Sequence, residues 1–140
     1  MLHRLIYASE TSRPLDAAMV NDLLAKARVA NARRDITGAL AFDSERFLQV
    51  LEGSRDRLSA LYSRLVQDDR HKALQLIEFV PIEERDFVQW SMAFAAADER
   101  TARVVRRYCG GGRLDPAGMT PKAAMSVLRD ITALPPASVD

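Results

Sequence analysis

An α+β sandwich is the fold class this sequence predicts. Seven segments alternate between strand-like and helix-like hydrophobic periodicity in the order β-α-β-β-α-β-β. Two more helical segments follow near the C-terminus, and a chain of 140 residues, 48% hydrophobic and 28% charged, is the size and composition of one domain.

Leu2 to Ser9 alternates and is rich in strand formers, and Thr11-Ser12-Arg13-Pro14 breaks it. From Leu15 to about Asn31, the apolar residues Val20, Leu23, Leu24, Ala27 and Ala30 recur at helical spacing. Ile36 to Phe42 and Phe47 to Leu51 are apolar runs joined by the polar Asp43-Ser44-Glu45-Arg46, the pattern of a hairpin. After Gly53, Ser54 reads as an N-cap with Asp56 in the first turn of a helix whose stripe is Leu58, Leu61 and Leu65. That helix fades at Asp68-Asp69-Arg70-His71. Leu74 to Ile82 forms a further strand, interrupted at Pro81, and Trp90 to Ala95 a fifth. Ala97 to Arg107 is helical, Gly110-Gly111-Gly112 ends it, and Pro121 to Leu134 sets Ala124, Met125, Leu128 and Ile131 on one helix face.

Strand pairs alternating with helices in this way predict a ferredoxin-like core. Two helices cover one face of such a sheet. The other face would carry Leu2 and Ile6, or Leu48 and Val50, which are too apolar to leave in water. The C-terminal helices are expected to cover it, within the chain or across a homodimer. Residues 1–96 are then the core and residues 97–140 a helical extension.

Composition excludes several functions. With 20 Lys+Arg against 19 Asp+Glu the net charge is +1, too balanced for a nucleic-acid binder. Cys109 is the single cysteine and His3 and His71 the two histidines, so neither a disulfide nor a metal site is expected. No Ser–His–Asp or Cys–His pairing suggests nucleophilic catalysis. Met1-Leu2-His3-Arg4 lacks the apolar stretch of a signal peptide and no segment is long and apolar enough to span a membrane, so the expected location is cytoplasmic.

The informative positions are polar residues inside core segments. Gln49 is flanked on both sides by apolar residues, so strand alternation cannot place it harmlessly in solvent. Asn31 lies four residues after Ala27 and seven after Leu24, on the buried stripe of the first helix. Tyr7 shares a strand face with Leu5, and its hydroxyl is expected to point into the layer under that helix. Each buried polar group left unpaired costs about 1–3 kcal/mol. Each residue alone is ordinary: a strand Gln is usually a structural hydrogen-bonder, a helix-end Asn a cap, a strand Tyr part of a core. Together they form an amide-and-phenol cluster suited to the edge of a flat heterocycle, satisfied by one another, by backbone or by a ligand.

The same positions carry a resemblance. Leu5-Ile6-Tyr7-Ala8-Ser9, Asn31-Ala32-Arg33 with Ile36-Thr37-Gly38-Ala39-Leu40, Phe47-Leu48-Gln49-Val50-Leu51-Glu52-Gly53, Asp69-Arg70-His71 and Trp90-Ser91-Met92 occur in order and at sensible spacing. In these pieces the sequence resembles the BLUF domains, small blue-light receptors that bind a flavin, and its length resembles their short stand-alone members. The resemblance implies a flavin (FAD, with FMN or riboflavin as alternatives) held between the two helices on the sheet. It implies that Tyr7 donates an electron and proton to the excited flavin, and that Gln49 bridges Tyr7 and the N5/O4 edge of the ring. By the same resemblance Asn31 bonds the carbonyl and N3–H edge, while Asp68, Arg70 and His71 stand near the ribityl and phosphate end. Ser9, Trp90 and Met92 match positions around the glutamine. The implied output is a signal through the last strand and C-terminal helices to a separate protein, without catalytic turnover.

Two other readings share the fold. A ferredoxin-like module sensing a small metabolite gives no reason for Tyr7, Asn31 and Gln49 to occur together. An acyl-phosphate hydrolase would use an Arg and an Asn, as in Arg33 and Asn31, but needs a glycine-rich loop where Thr11-Ser12-Arg13-Pro14 stands. Gly110-Gly111-Gly112 follows no strand and opens no helix, so it is not a dinucleotide loop. The stripe of Arg100, Arg103, Arg106 and Arg107 reads as a solvated helix face, or more sharply as a partner-binding surface.

Overall fold

The structure, a computed structural model, describes residues 1–43, 45–89, 91–94, 99–110, 113–116 and 118–133, without the side chains of 17 and 91–94. Its elements are β1 (Leu2–Thr11), α1 (Ala17–Arg33), β2 (Thr37–Phe42), β3 (Arg46–Ser54), α2 (Arg55–Gln67), β4 (His71–Ile82), β5 (Ser91–Phe94), α3 (Glu99–Tyr108) and α4 (Pro121–Thr132). The expected order is reproduced, with ends displaced by two or three residues. Helix α1 runs past Asn31 to Arg33, so Asn31 is not its cap; Asp16 caps the start, accepting from the Met19 N–H at 2.8 Å. Ser54 caps α2 as its sequence context indicates, accepting from the Arg57 N–H. Strand β4 begins at His71 and continues through Pro81, which an edge strand tolerates because one side of its backbone has no partner.

The strands form one sheet in the order β4-β1-β3-β2-β5. Pairing is antiparallel except between β2 and β5, which run parallel. This is the ferredoxin-like arrangement with a fifth strand on the β2 edge. At Gly38 the strands come unusually close: a Cβ there would stand 2.0 Å from the Val50 carbonyl oxygen. Glycine is required by that contact rather than by its φ.

Alternation sends each strand's residues to two layers. Ile6 and Ala8 of β1, Ala39 and Ala41 of β2, and Leu48 and Val50 of β3 face one side. There they pack on Val105 of α3 and Ala124, Met125, Val127, Leu128 and Ile131 of α4. The C-terminal helices therefore cover the apolar face within the chain. On the opposite side, Leu5 and Tyr7 pack with Leu51 and with Leu58 of α2, while Leu40, Phe42 and Phe47 pack with Val20 and Leu24 of α1. The Tyr7 ring thus packs in the α2 cluster, while its hydroxyl is directed at Gln49, on the cavity that α1 also walls. The reason is sheet order: β1 lies nearer the β4 edge, and β3 separates it from β2.

Candidate functional site

Between α1, α2 and the sheet lies a cavity of about 400 Å³, within the roughly 300–1,000 Å³ of small-molecule sites. Its walls are apolar: Leu23, Leu24, Ala27 and Ala30 from α1, Leu40, Phe47 and Leu51 from the sheet, Leu61 and Leu65 from α2. Tyr7, Asn31, Gln49, Asp68, Arg70 and His71 line the same cavity. Sequence reasoning had no means of placing Lys26, Arg34 and Arg64, which also line it and add positive charge. Each reads as an ordinary solvated helix residue until the helices are docked.

Backbone register creates the central pair. Tyr7 and Gln49 are direct cross-strand partners of β1 and β3, and Leu40 of β2 is opposite Gln49 on its other side. Side chains so paired meet on one face. The Tyr7 hydroxyl donates to Gln49 Oε1, and both residues are buried, at 3% and 8% exposure. Burial, first, and then the negative charge of Asp68 and the neighbouring Tyr62 push the Tyr7 phenol above its ordinary 10, so the pair is neutral. With Oε1 accepting from Tyr7, the Gln49 amide N–H groups are the donors left for a ligand. Tyr62 of α2 meets the Tyr7 ring edge-on, with centroids 6.3 Å apart and planes at 71°.

Asn31 is also buried, at 3% exposure, in the last turns of α1. Its backbone carbonyl accepts from the N–H groups of Arg34 and Ile36. Its side-chain amide has no hydrogen bond to a described residue and lines the cavity. Its polar atoms are open to the cavity and can pair with whatever occupies it.

At the other end, the α2–β4 turn gathers three charged or polar groups. Asp68 caps α2 and grips Arg70 through two oxygens, at 3.0 Å to Nε and 2.6 Å to Nη2. The Arg70 side-chain bond, then the Arg70 backbone N–H and the nearby positive charges, hold the Asp68 carboxyl at about 2. His71 places Nδ1 3.0 Å from Ser9 Oγ and its ring 5.2 Å from that of Phe47. Burial and the Arg70 charge lower its pKa against the opposing pull of Asp68. Ser9 is buried and does not line the cavity itself, but its hydroxyl meets His71, which does. Trp90 and the Met92 side chain lie outside the described residues; the Met92 backbone pairs with Leu40, in line with Gln49 across β2.

A second polar cluster escaped sequence reasoning altogether. Glu52, fully buried on β3, accepts from the backbone N–H groups of Asp86 at 3.1 Å and Phe87 at 2.7 Å. Arg85 beside them bonds Thr37 Oγ1 and the carbonyls of Glu52 and Asp35. Asp86 takes Arg4 of β1 at 3.2 Å and Arg129 of α4 at 2.9 Å. The turn leading toward β5 is thereby fastened to β1, β3, β2 and α4.

The cavity offers apolar walls, two amides and a phenol, with the cations Lys26, Arg34, Arg64 and Arg70 also on its lining. That donor set fits a flat, amide-like ring carrying an anionic tail, which is what a flavin nucleotide is. Comparison with known proteins agrees. The family described as "BLUF: Sensors of blue-light using FAD" matches residues 2–93. The photoactivated adenylate cyclase subunit beta of Euglena longa is 32% identical over 98 residues, which is 69% of this chain and 11% of that protein. This chain therefore spans about a ninth of that relative's length. The dark-state structure of BlrB, a BLUF protein, superposes with a TM-score of 0.74 at 29% identity, covering 94% of this chain and 96% of that one. Klebsiella pneumoniae BlrP1, solved with FMN and cyclic diGMP, is 32% identical over 67% of this chain and 25% of its own, with a TM-score of 0.61. This chain belongs to the BLUF family of flavin-binding blue-light sensors.

Proposed function

We propose that this chain senses blue light through a flavin seated between α1 and α2, with Tyr7 and Gln49 as the photoactive pair, and that it turns over no substrate. The observation that carries the reading is the Tyr7–Gln49 hydrogen bond, buried at the cavity end where Asn31 presents a second amide. FAD is the proposed form, as in the family description; FMN, the form named with BlrP1, shares the ring that these residues address.

A bound flavin supplies the absorption of blue light and, once excited, a one-electron oxidant for a neighbouring phenol. Tyr7 is that phenol, held neutral by burial and with its proton already directed at Gln49. Gln49 is the switch. Its amide has an acceptor at one end and donors at the other, so rotation or tautomerisation reverses the hydrogen-bond pattern without a new covalent bond. Asn31 orients the ring edge, and Asp68, Arg70 and His71 hold the ribityl and phosphate end. Ser9 positions His71, and by the resemblance Trp90 and Met92 match positions around the glutamine; the Met92 backbone lies on β5, the strand that leads to the C-terminal helices.

Output passes from residues 1–96 through β5 to the helical extension of residues 97–140 and on to a separate protein, or through changed self-association. Helices α3 and α4 are packed on the back of β1, β2 and β3, the sheet that carries Tyr7 and Gln49 on its front. Signalling requires that lit and dark states differ in affinity for the partner. The test is a visible spectrum of the purified protein in darkness and after blue light. A structured flavin band that shifts red and relaxes back is expected, and Tyr7→Phe should retain flavin while losing the shift. A normal reversible shift in Tyr7→Phe removes Tyr7 from the mechanism; a protein that stays colourless after reconstitution with flavin removes the whole reading.

A further inference from the structure

We infer that Tyr62 is the exit through which the oxidising equivalent created on Tyr7 escapes the site, and that this escape limits how many reversible cycles the sensor completes. The inference rests on the proposed role of Tyr7 and adds a residue to it. Tyr7 makes one ring contact among the described residues, and it is with Tyr62: centroids 6.3 Å apart, planes at 71°. The other described ring contacts near the site involve Phe42, Phe47 and His71, none of which is an easily oxidised phenol.

The two phenols differ in what can become of a proton. Tyr7 is 3% exposed and its hydroxyl faces the neutral Gln49 amide, which can pass a proton on but not keep it. Tyr62 lies on the half-buried shoulder of α2, between Leu58 one turn before and Leu65 one turn after, and reaches the edge of the cluster that contains Tyr7. An oxidised phenol is a strong acid, so the hole settles where the proton can be handed to water. That place is Tyr62. In the step, an electron passes from the Tyr62 ring to oxidised Tyr7, Tyr7 takes back the proton it had given up, and Tyr62 releases its own phenolic proton to water. The sum is one electron moved from Tyr62 to the flavin, the oxidant, and one proton moved from Tyr62 to solvent. Tyr7 is regenerated, and the signalling rearrangement is not reached.

The test compares flavin-loaded wild type with Tyr62→Phe, which keeps the ring and its edge-on contact but removes the oxidisable phenol. Single flashes should give the reversible red shift in both. Under prolonged blue light the wild type should lose part of its oxidised flavin band, show a tyrosyl radical by electron paramagnetic resonance, and carry oxidation at Tyr62 by peptide mass spectrometry. Tyr62→Phe should lose the band several-fold more slowly and give no such radical, and Tyr62→Trp, which restores an oxidisable ring, should return the loss. Equal loss in wild type and Tyr62→Phe with the red shift intact, or oxidation mapped elsewhere in the wild type, overturns the inference. Absence of any reversible shift in the wild type overturns the role of Tyr7 and the inference with it.

Discussion

Replacing Glu52 by leucine removes a buried carboxylate on which two backbone donors depend. Glu52 is 0% exposed and accepts from the Asp86 N–H at 3.1 Å and the Phe87 N–H at 2.7 Å. A leucine of similar size fills the space but leaves both N–H groups without their acceptor. Each buried group so orphaned costs about 1–3 kcal/mol, hence about 2–6 kcal/mol for the two. Against a typical domain stability of about 5–15 kcal/mol that is a large fraction. Glu52→Gln keeps one acceptor oxygen, so its loss should fall near half that of leucine. The assay is urea unfolding followed by circular dichroism, read with hydrogen exchange at the Asp86 and Phe87 amides. Both variants should unfold at lower urea with an unchanged slope, and exchange at the two amides should accelerate most in Glu52→Leu. Because Arg85 holds the same turn through Thr37 and the carbonyls of Glu52 and Asp35, the turn should loosen rather than detach. If Glu52→Leu matches wild type within about 0.5 kcal/mol, the size of an ordinary surface substitution, and exchange at the two amides is unchanged, the carboxylate does not pin the turn.

Three further outcomes follow from the geometry. Gly38→Ala puts a Cβ 2.0 Å from the Val50 carbonyl oxygen, so β2 must move off β3 beside Gln49; overpacking costs about 1–3 kcal/mol or more, and thermal melts together with flavin retention should show both losses. Gln49→Leu leaves the buried Tyr7 hydroxyl unpaired; it should bind flavin yet show a spectrum that light does not shift, and an ordinary photocycle in it would sink the amide-switch account. Asp68 is held at about 2 by Arg70, below its ordinary 3.8. A depressed carboxyl pKa stabilises the fold fully above the ordinary value and loses that contribution as pH falls through about 2. Arg70→Gln should return Asp68 toward its ordinary range and flatten this acid dependence, measured by carbon NMR titration of the Asp68 carboxyl.

Much of this molecule is legible in one dimension because two periodicities, set by backbone geometry, sort residues into strand faces and helix stripes. Ser54 as a cap, the Leu58–Leu65 stripe, and the need to cover Ile6, Leu48 and Val50 all follow from local spacing and the cost of exposing apolar surface. Tyr7, Asn31 and Gln49 stand out for the same reason: each is polar where the pattern demands apolar. What spacing cannot convey is which strand lies beside which. Sheet order puts Tyr7 opposite Gln49 with its ring in the α2 cluster, and brings Tyr62 against that ring. Glu52 looks like the polar end of a strand, and Arg85 and Asp86 like a solvated loop. They become a buried clamp when residues more than thirty positions apart are brought within hydrogen-bond reach. Lys26, Arg34 and Arg64 likewise join the cavity only when α1 and α2 dock on one sheet. The sequence by itself therefore determined the elements, their order and the polar cluster, since those depend on neighbours along the chain. The tertiary structure alone decided the pairings, the clamp and the cationic part of the cavity lining, since those depend on the register and docking of distant segments.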